Sequence, residues 1–450
     1  MLKLTLAEAV EASGGKYIGS EENLQKEIAS VTTDSREAAE GSLFVAIKGE
    51  RVDGHDFAVK AFGQGALCCL IERKIDADGP CILVKNSVEA LQKIAAYYRE
   101  SLGVKVVGIT GSVGKTTCKE LVAAVLAQKY NVLKTLGNYN NEIGLPLTLL
   151  RMTAETEAAV IEMGMSDFGE MRLLSSIAKP DMCVITNIGF SHMEILGSQQ
   201  GILQAKSEIF EYMDSSAPAF LCGDDKLLRT VKRDNCRWFG FETENDIYVE
   251  DMCDKGLMGI EGVINAYRDK RLQFLLGIPG RHVLYSVMAA VGVGLELGLT
   301  DDEICAGIEA AATIGGRVNV INKDNMTVID DCYNAAPASM KAGIDLLIKA
   351  GGETVAILGD MGELGNGAPK LHGEVGRYAA EMGVGLVFAV GELSKELFDA
   401  CAAAGGRALY FPTKADLLCE LPGLIPDKAT VLVKASHFMG FDEIVKLLCA

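Results

Sequence analysis

An α/β fold of three domains is predicted, on the strength of chain length and of two runs of alternating patterns. Short apolar segments of strand character alternate with helical stretches from residue 104 onward, and the alternation starts again near residue 327. Such alternation indicates mainly parallel sheets with helices on both faces. At 450 residues, the chain is also too long for one ordinary hydrophobic core.

The first segment, residues 1–100, fits a small mixed α/β domain, with a strand at 42–47 and a helix at 87–99. The second, residues 101–314, opens with a buried-strand pattern at 104–109, a glycine-rich turn and a helical pattern at 117–128. Further strands fit 158–162 and 182–186, so this is a central P-loop ATPase-like domain on a mainly parallel sheet. The Gly315–Gly316 pair marks its end. The third, residues 315–450, places strands at 327–330, 354–358, 385–390 and 430–434, with helices at 338–349, 372–382 and 393–404 between them. That order is Rossmann-like, a second doubly wound domain.

Charged residues at 23% and hydrophobic residues at 49% describe a globular chain. The longest apolar stretch, 283–299, is broken by Tyr285, Ser286 and Glu296, so membrane insertion is not expected. The first residues lack the basic start and apolar core of a signal peptide, and the thirteen scattered cysteines include no C-x-x-C pair. Reduced thiols in the cytoplasm are the expectation, with Cys68, Cys69, Cys183 and Cys332 as structural residues. A net charge of −18 argues against a nucleic-acid-binding surface. It leaves room for anionic substrates held by local cations and backbone N–H groups. His55, His192, His282, His372 and His437 all sit in glycine-rich or loop-like contexts, and none lies on a clear apolar stripe.

The glycine-rich turn comprises Thr110, Gly111, Ser112, Val113, Gly114, Lys115, Thr116 and Thr117. Between a buried strand and a helix, its N–H groups can cradle phosphate oxygens at the positive end of the helix dipole. Lys115 would reach the terminal phosphates of ATP, and the Thr116 hydroxyl would hold Mg²⁺. Five residues separate Gly108 from Gly114, where the strict phosphate-loop motif has four. Glu162 ends a later strand, at the sheet edge where α/β folds bind ligands. His192 follows the next strand, and Lys206 and Glu208 lie on a helical stretch. Singly, each has an ordinary reading as a helix partner, a hydrogen-bonded loop histidine or a solvated lysine. Their order behind a phosphate loop makes Lys115, Glu162, His192 and Lys206 a candidate catalytic set.

The loop itself, the block Gly137-Asn-Tyr-Asn-Asn-Glu-Ile-Gly-Leu-Pro146 and Glu162-Met-Gly resemble the Mur ligases of peptidoglycan synthesis. Asp331-Cys-Tyr-Asn334 and Leu358-Gly-Asp-Met-Gly-Glu-Leu-Gly365 narrow the resemblance, as do Thr33-Asp-Ser-Arg36, Ser42–Ile47 and Asp53–Phe57. They are similar to the members that add D-alanyl-D-alanine to UDP-N-acetylmuramoyl-tripeptide. The resemblance covers nearly the whole chain in the expected order.

It implies a UDP-sugar-peptide domain, an ATP domain and a domain for the incoming dipeptide, acting as a cytoplasmic monomer. It implies amide formation through an acyl phosphate, and closure about hinges near residues 100 and 315. By the same resemblance Thr116 and Glu162 hold one Mg²⁺, and His192 and a carbamylated Lys206 hold a second. Arg317 contacts the ATP phosphates, Asp331 the ribose hydroxyls, and Tyr333 and Asn334 lie beside the nucleotide. Ser35 and Arg36 meet the uridine end, and Asn138, Asn140 and Asn141 line the substrate cleft. Asp331 could instead cap the helix near Ala338.

The chain also departs from the family pattern. Val283 and Ser286 replace two asparagines of the adenine-side motif, Ala336 replaces the second asparagine of Y-N-A-N-P, and His437 ends a block usually written K-G-S-R. Valine lacks the amide donor and acceptor of asparagine, so weaker or rearranged adenine contacts are expected. Two alternatives stay open: another amino-acid ligase of the superfamily, such as one adding the third residue or a folylpolyglutamate-type enzyme, and a nucleotide-binding relative without ligase activity.

Overall fold

The computed structural model describes residues 2–311 and 317–449, so the Gly315–Gly316 boundary and the hinge expected there lie outside the described residues. Two compact units result, one within residues 1–110, 129–184 and 205–219, the other within 111–128, 185–204 and 220–450.

In the first unit, β1 (Lys16–Ile18), β2 (Val31–Thr32), β3 (Leu43–Val45), β4 (Cys68–Ile71) and β5 (Cys81–Leu83) form a sheet of order β1-β5-β4-β3-β2. β1 and β5 pair antiparallel, and the other neighbours pair parallel. Phe44, Ala46, Cys69 and Ile71 pack with Ala58 and Ala61 of the helix Ala58–Gly63. Residues two apart share a sheet face, so this cluster covers one face. Burial pushes the Cys68 and Cys69 thiols up, away from the reactive thiolate.

The same unit holds β6 (Lys105–Thr110), β7 (Val132–Lys134), β8 (Ala158–Glu162) and β9 (Met182–Ile185), in the order β9-β6-β8-β7. β8 pairs parallel with both β6 and β7. β6, β8 and β9 are apolar and buried nearly throughout, which is why they were legible as unbroken runs, whereas β7 is half-buried and was not. The helix Ser87–Ser101 is anchored to this part of the unit. Tyr98 donates to the Met152 carbonyl at 2.8 Å, and the buried Arg99 donates to the Ala178 carbonyl and the Asp181 carboxylate at 2.9 Å. The boundary expected at residue 100 falls inside this helix.

In the second unit, β10 (Ala219–Cys222), β11 (Cys236–Gly240), β12 (Ile247–Asp254), β13 (Ile260–Ala266) and β14 (Lys270–Leu276) follow the order β14-β13-β12-β11-β10. β12, β13 and β14 form antiparallel hairpins, which strand–helix alternation does not predict. In β14 buried Leu272, Phe274 and Leu276 alternate with exposed Arg271, Gln273 and Leu275, as in a sheet with one solvated face.

β15 (Asn319–Asn322), β16 (Met326–Asp330), β17 (Thr354–Gly359), β18 (Leu386–Val390), β19 (Ala408–Phe411) and β20 (Ala429–Lys434) take the order β15-β16-β20-β17-β18-β19. All pairs are parallel except β15–β16. Ala356 and Leu358 belong to the core under one face, Val355 and Ile357 to the core under the other. A sheet buried on both faces is the Rossmann-like arrangement read from the sequence.

One reading needs correction. His372 is a core histidine, fully buried in the helix Ala368–Glu381. Its Nε2 accepts the Met361 N–H at 2.9 Å, and Nδ1 lies 2.7 Å from the Ala368 carbonyl. His55 is buried as well, accepting the Glu72 N–H at 2.8 Å. Burial holds the His372 imidazole below its ordinary value. Its stabilisation is therefore complete above the unfolded-state value and is lost as pH falls through the folded one. His372→Leu should destabilise the protein by about 1–3 kcal/mol, since the buried Met361 N–H loses its acceptor. It should also flatten the loss of stability between about pH 7 and about pH 5. Urea unfolding at both pH values checks the two effects together.

Candidate nucleotide and metal site

Strand β6 ends at Thr110 and the chain turns through Gly111 into the helix Lys115–Leu126. A Cβ on Gly111, whose φ is +148°, would lie 1.9 Å from Thr186 Oγ1, so only glycine fits. The loop is sewn to the segment after β9 by five hydrogen bonds. Ser112 N–H donates to the Asn187 carbonyl at 3.0 Å and Val113 N–H to Asn187 Oδ1 at 3.0 Å. Thr186 Oγ1 and Asn187 Nδ2 both donate to the Val113 carbonyl, at 2.6 and 2.9 Å, and Gly189 N–H donates to Ser112 Oγ at 2.8 Å. Two loop N–H groups are thus consumed internally. Cys118 N–H opens the helical ladder by donating to the Gly114 carbonyl at 2.9 Å. The N–H groups of Gly114, Lys115, Thr116 and Thr117 lie ahead of that bond, at the positive end of the helix. Lys115 Nζ folds back to the Gly111 carbonyl at 2.9 Å.

His192 closes the segment after β9, in the left-handed region at φ 62°, ahead of the short helix Met193–Leu196. Its Nδ1 lies 2.9 Å from Glu363 Oε2. Glu363, also at φ 62°, belongs to the loop after β17. The hydrogen bond from His192, with a contribution from Lys115, holds the Glu363 carboxyl below the usual carboxylate range. A histidine–carboxylate hydrogen bond whose carboxylate side chain is 62% exposed adds roughly 0–1 kcal/mol. Each non-glycine residue in the left-handed region costs about 1 kcal/mol or more. The contact is not a net source of stability.

In the first unit, Glu162 ends β8 and is buried. Its Oε1 accepts from Asn140 Nδ2 at 2.9 Å, whereas Oε2 is buried with no hydrogen-bond partner among the described residues. The Thr110 hydroxyl is in the same condition. Lys206 is 1% exposed, so its reading as a solvated lysine falls away. Glu208 is structural: its carboxylate accepts the Gly169 N–H at 2.9 Å and the Arg172 N–H at 3.2 Å, at the start of the helix Glu170–Ala178. Asn138 is exposed, and Asn141 Oδ1 caps the helix Gly144–Leu149 by accepting the Gly144 N–H at 2.9 Å. Ser35 is buried, and the Arg36 guanidinium is exposed and held by Asp34 at 2.5 Å.

At the end of β16, Asp331 forms a buried ion pair with Lys434 at 2.5 Å and accepts the Val318 N–H at 3.2 Å. The cap of the helix Pro337–Ala350 is Ala336, so Asp331 is not a helix cap. Lys434 also donates to the Asn334 carbonyl at 3.1 Å. The Arg317 guanidinium lies 4.1 Å from the Tyr333 ring centroid, and the His437 ring lies 5.1 Å from it.

A phosphate cradle at a strand end, a buried strand-end carboxylate and a Rossmann-like sheet define a P-loop nucleotide-dependent enzyme. Three family models match the chain: Mur ligase family, catalytic domain, over residues 27–106; Mur ligase middle domain, over 109–294; and Mur ligase, glutamate ligase domain, over 316–437. The chain belongs to the Mur ligase family. It is 37% identical to the UDP-N-acetylmuramoyl-tripeptide–D-alanyl-D-alanine ligase of Bacillus subtilis (strain 168), over 99% of this chain and 98% of that one. To the ligase of the same name from Escherichia coli (strain K12) it is 35% identical, over 100% and 99%. A crystal structure of MurF from Acinetobacter baumannii matches with a TM-score of 0.89 at 31% identity, covering 99% of this chain and 98% of that one. The MurF ligase of Thermotoga maritima, in complex with ADP, matches with a TM-score of 0.82 at 30% identity, covering 93% and 97%. The three-domain α/β architecture expected from the sequence is the one these structures share.

Sequence reasoning assigned nothing to Asn187, Thr186, Lys434 or Glu363. Asn187 opens a glycine-containing run directly after an apolar strand, which was the available signal. The Asn187→Ala variant loses both side-chain bonds to Val113. Its affinity for ADP should fall about tenfold, equivalent to ~1.4 kcal/mol, with calorimetric titration as the measurement.

Proposed function

We propose that the protein joins D-alanyl-D-alanine to UDP-N-acetylmuramoyl-tripeptide with ATP, in peptidoglycan precursor synthesis. The reading is carried by similarity over the whole chain to ligases of that name, and the phosphate cradle supports it. Residues 1–100 take the UDP-sugar peptide, 101–314 the ATP and 315–450 the dipeptide. Thirteen cysteines with no disulfide among the described residues accord with a reducing, cytoplasmic setting. No described helix is long and apolar enough to cross a membrane.

A carboxylate is a poor electrophile, so the tripeptide carboxylate oxygen first attacks the γ-phosphorus and the P–O bond to ADP breaks. The dipeptide amine then attacks the acyl carbon, loses a proton, and inorganic phosphate leaves with its oxygen. Lys115 and the N–H groups of Gly114 to Thr117 offset the charge that gathers on the transferring phosphoryl group. Arg317 reaches the ATP phosphates from the C-terminal segment, Asp331 meets the ribose, and Tyr333 and Asn334 lie beside the nucleotide. Ser35 and Arg36 take the uridine end, while Asn138 and Asn140 line the substrate cleft and Asn141 holds that loop in shape.

The donor set fits divalent cations. Glu162 Oε2 is a buried carboxylate oxygen with no hydrogen-bond partner among the described residues; by the family resemblance it and the Thr116 hydroxyl would each be a ligand of one Mg²⁺. His192 and a carbamylated Lys206 would hold the second. No group of three or more His, Cys, Asp or Glu able to hold a metal occurs among the described residues. The other ligands in this reading are a hydroxyl, a modified lysine and phosphate oxygens, all oxygen donors of the kind Mg²⁺ takes. When bound, Mg²⁺ neutralises phosphate charge and orients the γ-phosphoryl group.

Phosphate release from ATP, Mg²⁺ and UDP-N-acetylmuramoyl-tripeptide should require D-alanyl-D-alanine, and Lys115→Ala should lower turnover by at least ~10²-fold. Turnover with single amino acids in place of the dipeptide would point to another ligase of the superfamily. ATP binding without turnover in any combination would point to an inactive relative.

A further inference from the structure

We infer that Glu363 is a positioning residue for His192, so that the C-terminal segment sets the metal-binding geometry of a histidine on the central segment. The inference rests on the ligase reading, in which His192 holds a divalent cation. His192 Nδ1 faces Glu363 Oε2 at 2.9 Å. With the proton on Nδ1 donated to this carboxylate, the neutral ring keeps its lone pair on Nε2, the nitrogen left for a cation. A carboxylate on the far nitrogen fixes the tautomer and ring plane of a metal-binding histidine and raises its basicity.

The two residues come from different family domains, the middle domain at 109–294 and the glutamate ligase domain at 316–437. They meet where the backbones are also close: a Cβ on Gly365, φ +55°, would stand 3.3 Å from Glu194 Cα. His192 and Glu363 both hold left-handed backbone conformations to make the contact. Since an exposed pair of this kind contributes little to stability, orientation of the ring is the use that remains.

The test is a Mn²⁺ titration of the ADP-loaded protein followed by electron paramagnetic resonance, with thermal unfolding as the folding control. Wild type should bind two ions. Glu363→Ala should weaken one of them by about tenfold or more and leave the other unchanged. Glu363→Gln, whose amide oxygen can still accept from Nδ1, should recover most of the loss. His192→Ala should weaken the same ion, and the double variant should lose no more than His192→Ala alone. Wild-type affinities in Glu363→Ala, equal weakening of both ions, or additive losses in the double variant would each overturn the inference. A wild-type protein that binds no Mn²⁺ with ADP would instead remove the metal reading beneath it.

Discussion

The hydrogen-bonded seam between the phosphate loop and the segment Thr186–Gly189 is the contact on which the rest of the site depends. Asn187 satisfies both the N–H and the carbonyl of Val113, which fixes a loop that has no regular secondary structure to hold it. The same seam explains why Gly111 is a glycine, because Thr186 Oγ1 occupies the space a Cβ would need. It also decides which donors are left for phosphate. With the Ser112 and Val113 N–H groups spent on Asn187, the anion is left to the helix N-terminus. His192 lies on the same segment a few residues on, so one strand-end loop positions both the cradle and the histidine.

A second fixed point is the buried pair of Asp331 and Lys434. A buried charge that loses its partner destabilises by about 3–5 kcal/mol, so neither residue tolerates neutral replacement alone. Lys434 donates as well to the carbonyls of Asp331 and Asn334. The loop between those residues is therefore held at both ends, with Tyr333 flanked by Arg317 and His437. Here His437 stands where the family usually writes arginine; it is exposed, with its ring 5.1 Å from that of Tyr333. Val283 and Ser286 are buried. Beside them Arg281 lies 4.2 Å from the Phe241 ring, and Tyr285 donates to Asp224 at 3.0 Å. The departures at Val283 and Ser286 thus sit in packed structure, and the altered chemistry there is the loss of amide groups, not the opening of a gap.

The fully buried parallel strands such as Thr354–Gly359 and Ala429–Lys434 were legible because strands buried on both faces are written as unbroken apolar runs, whereas the less buried parallel strands Val132–Lys134 and Ala408–Phe411 were not. The antiparallel strands of 247–276 were not, since their signal is alternation and not a run. The start of the helix read at 372–382 was placed late for a reason visible at Pro369. Proline is tolerated in the first turn of a helix, so the helix begins at Ala368, and His372 lies inside it. Glu162, His192 and Lys206 stood out by residue type and order behind a phosphate loop. Asn187, Lys434 and Glu363 did not, because each matters through a partner far away in sequence, and one chain gives no signal for a pairing of that range.

The spacing of the phosphate loop shows the same distinction in small. Counted from Gly108, the motif is one residue too long. Gly108 lies within β6, where a Cβ would meet Met163 Sδ at 2.9 Å and the Pro180 ring at 3.0 Å. It is a packing glycine of the strand and takes no part in the cradle. The turn that approaches phosphate begins at Gly111 and ends at Gly114, whose φ of +86° leads into the helix. Both ends of that turn are set by steric need, one by Thr186 and one by the left-handed entry to the helix. Thr-Gly-x-x-Gly-Lys-Thr is therefore a complete statement of this loop, and the strict pattern misfits because it counts from a glycine that belongs to the sheet.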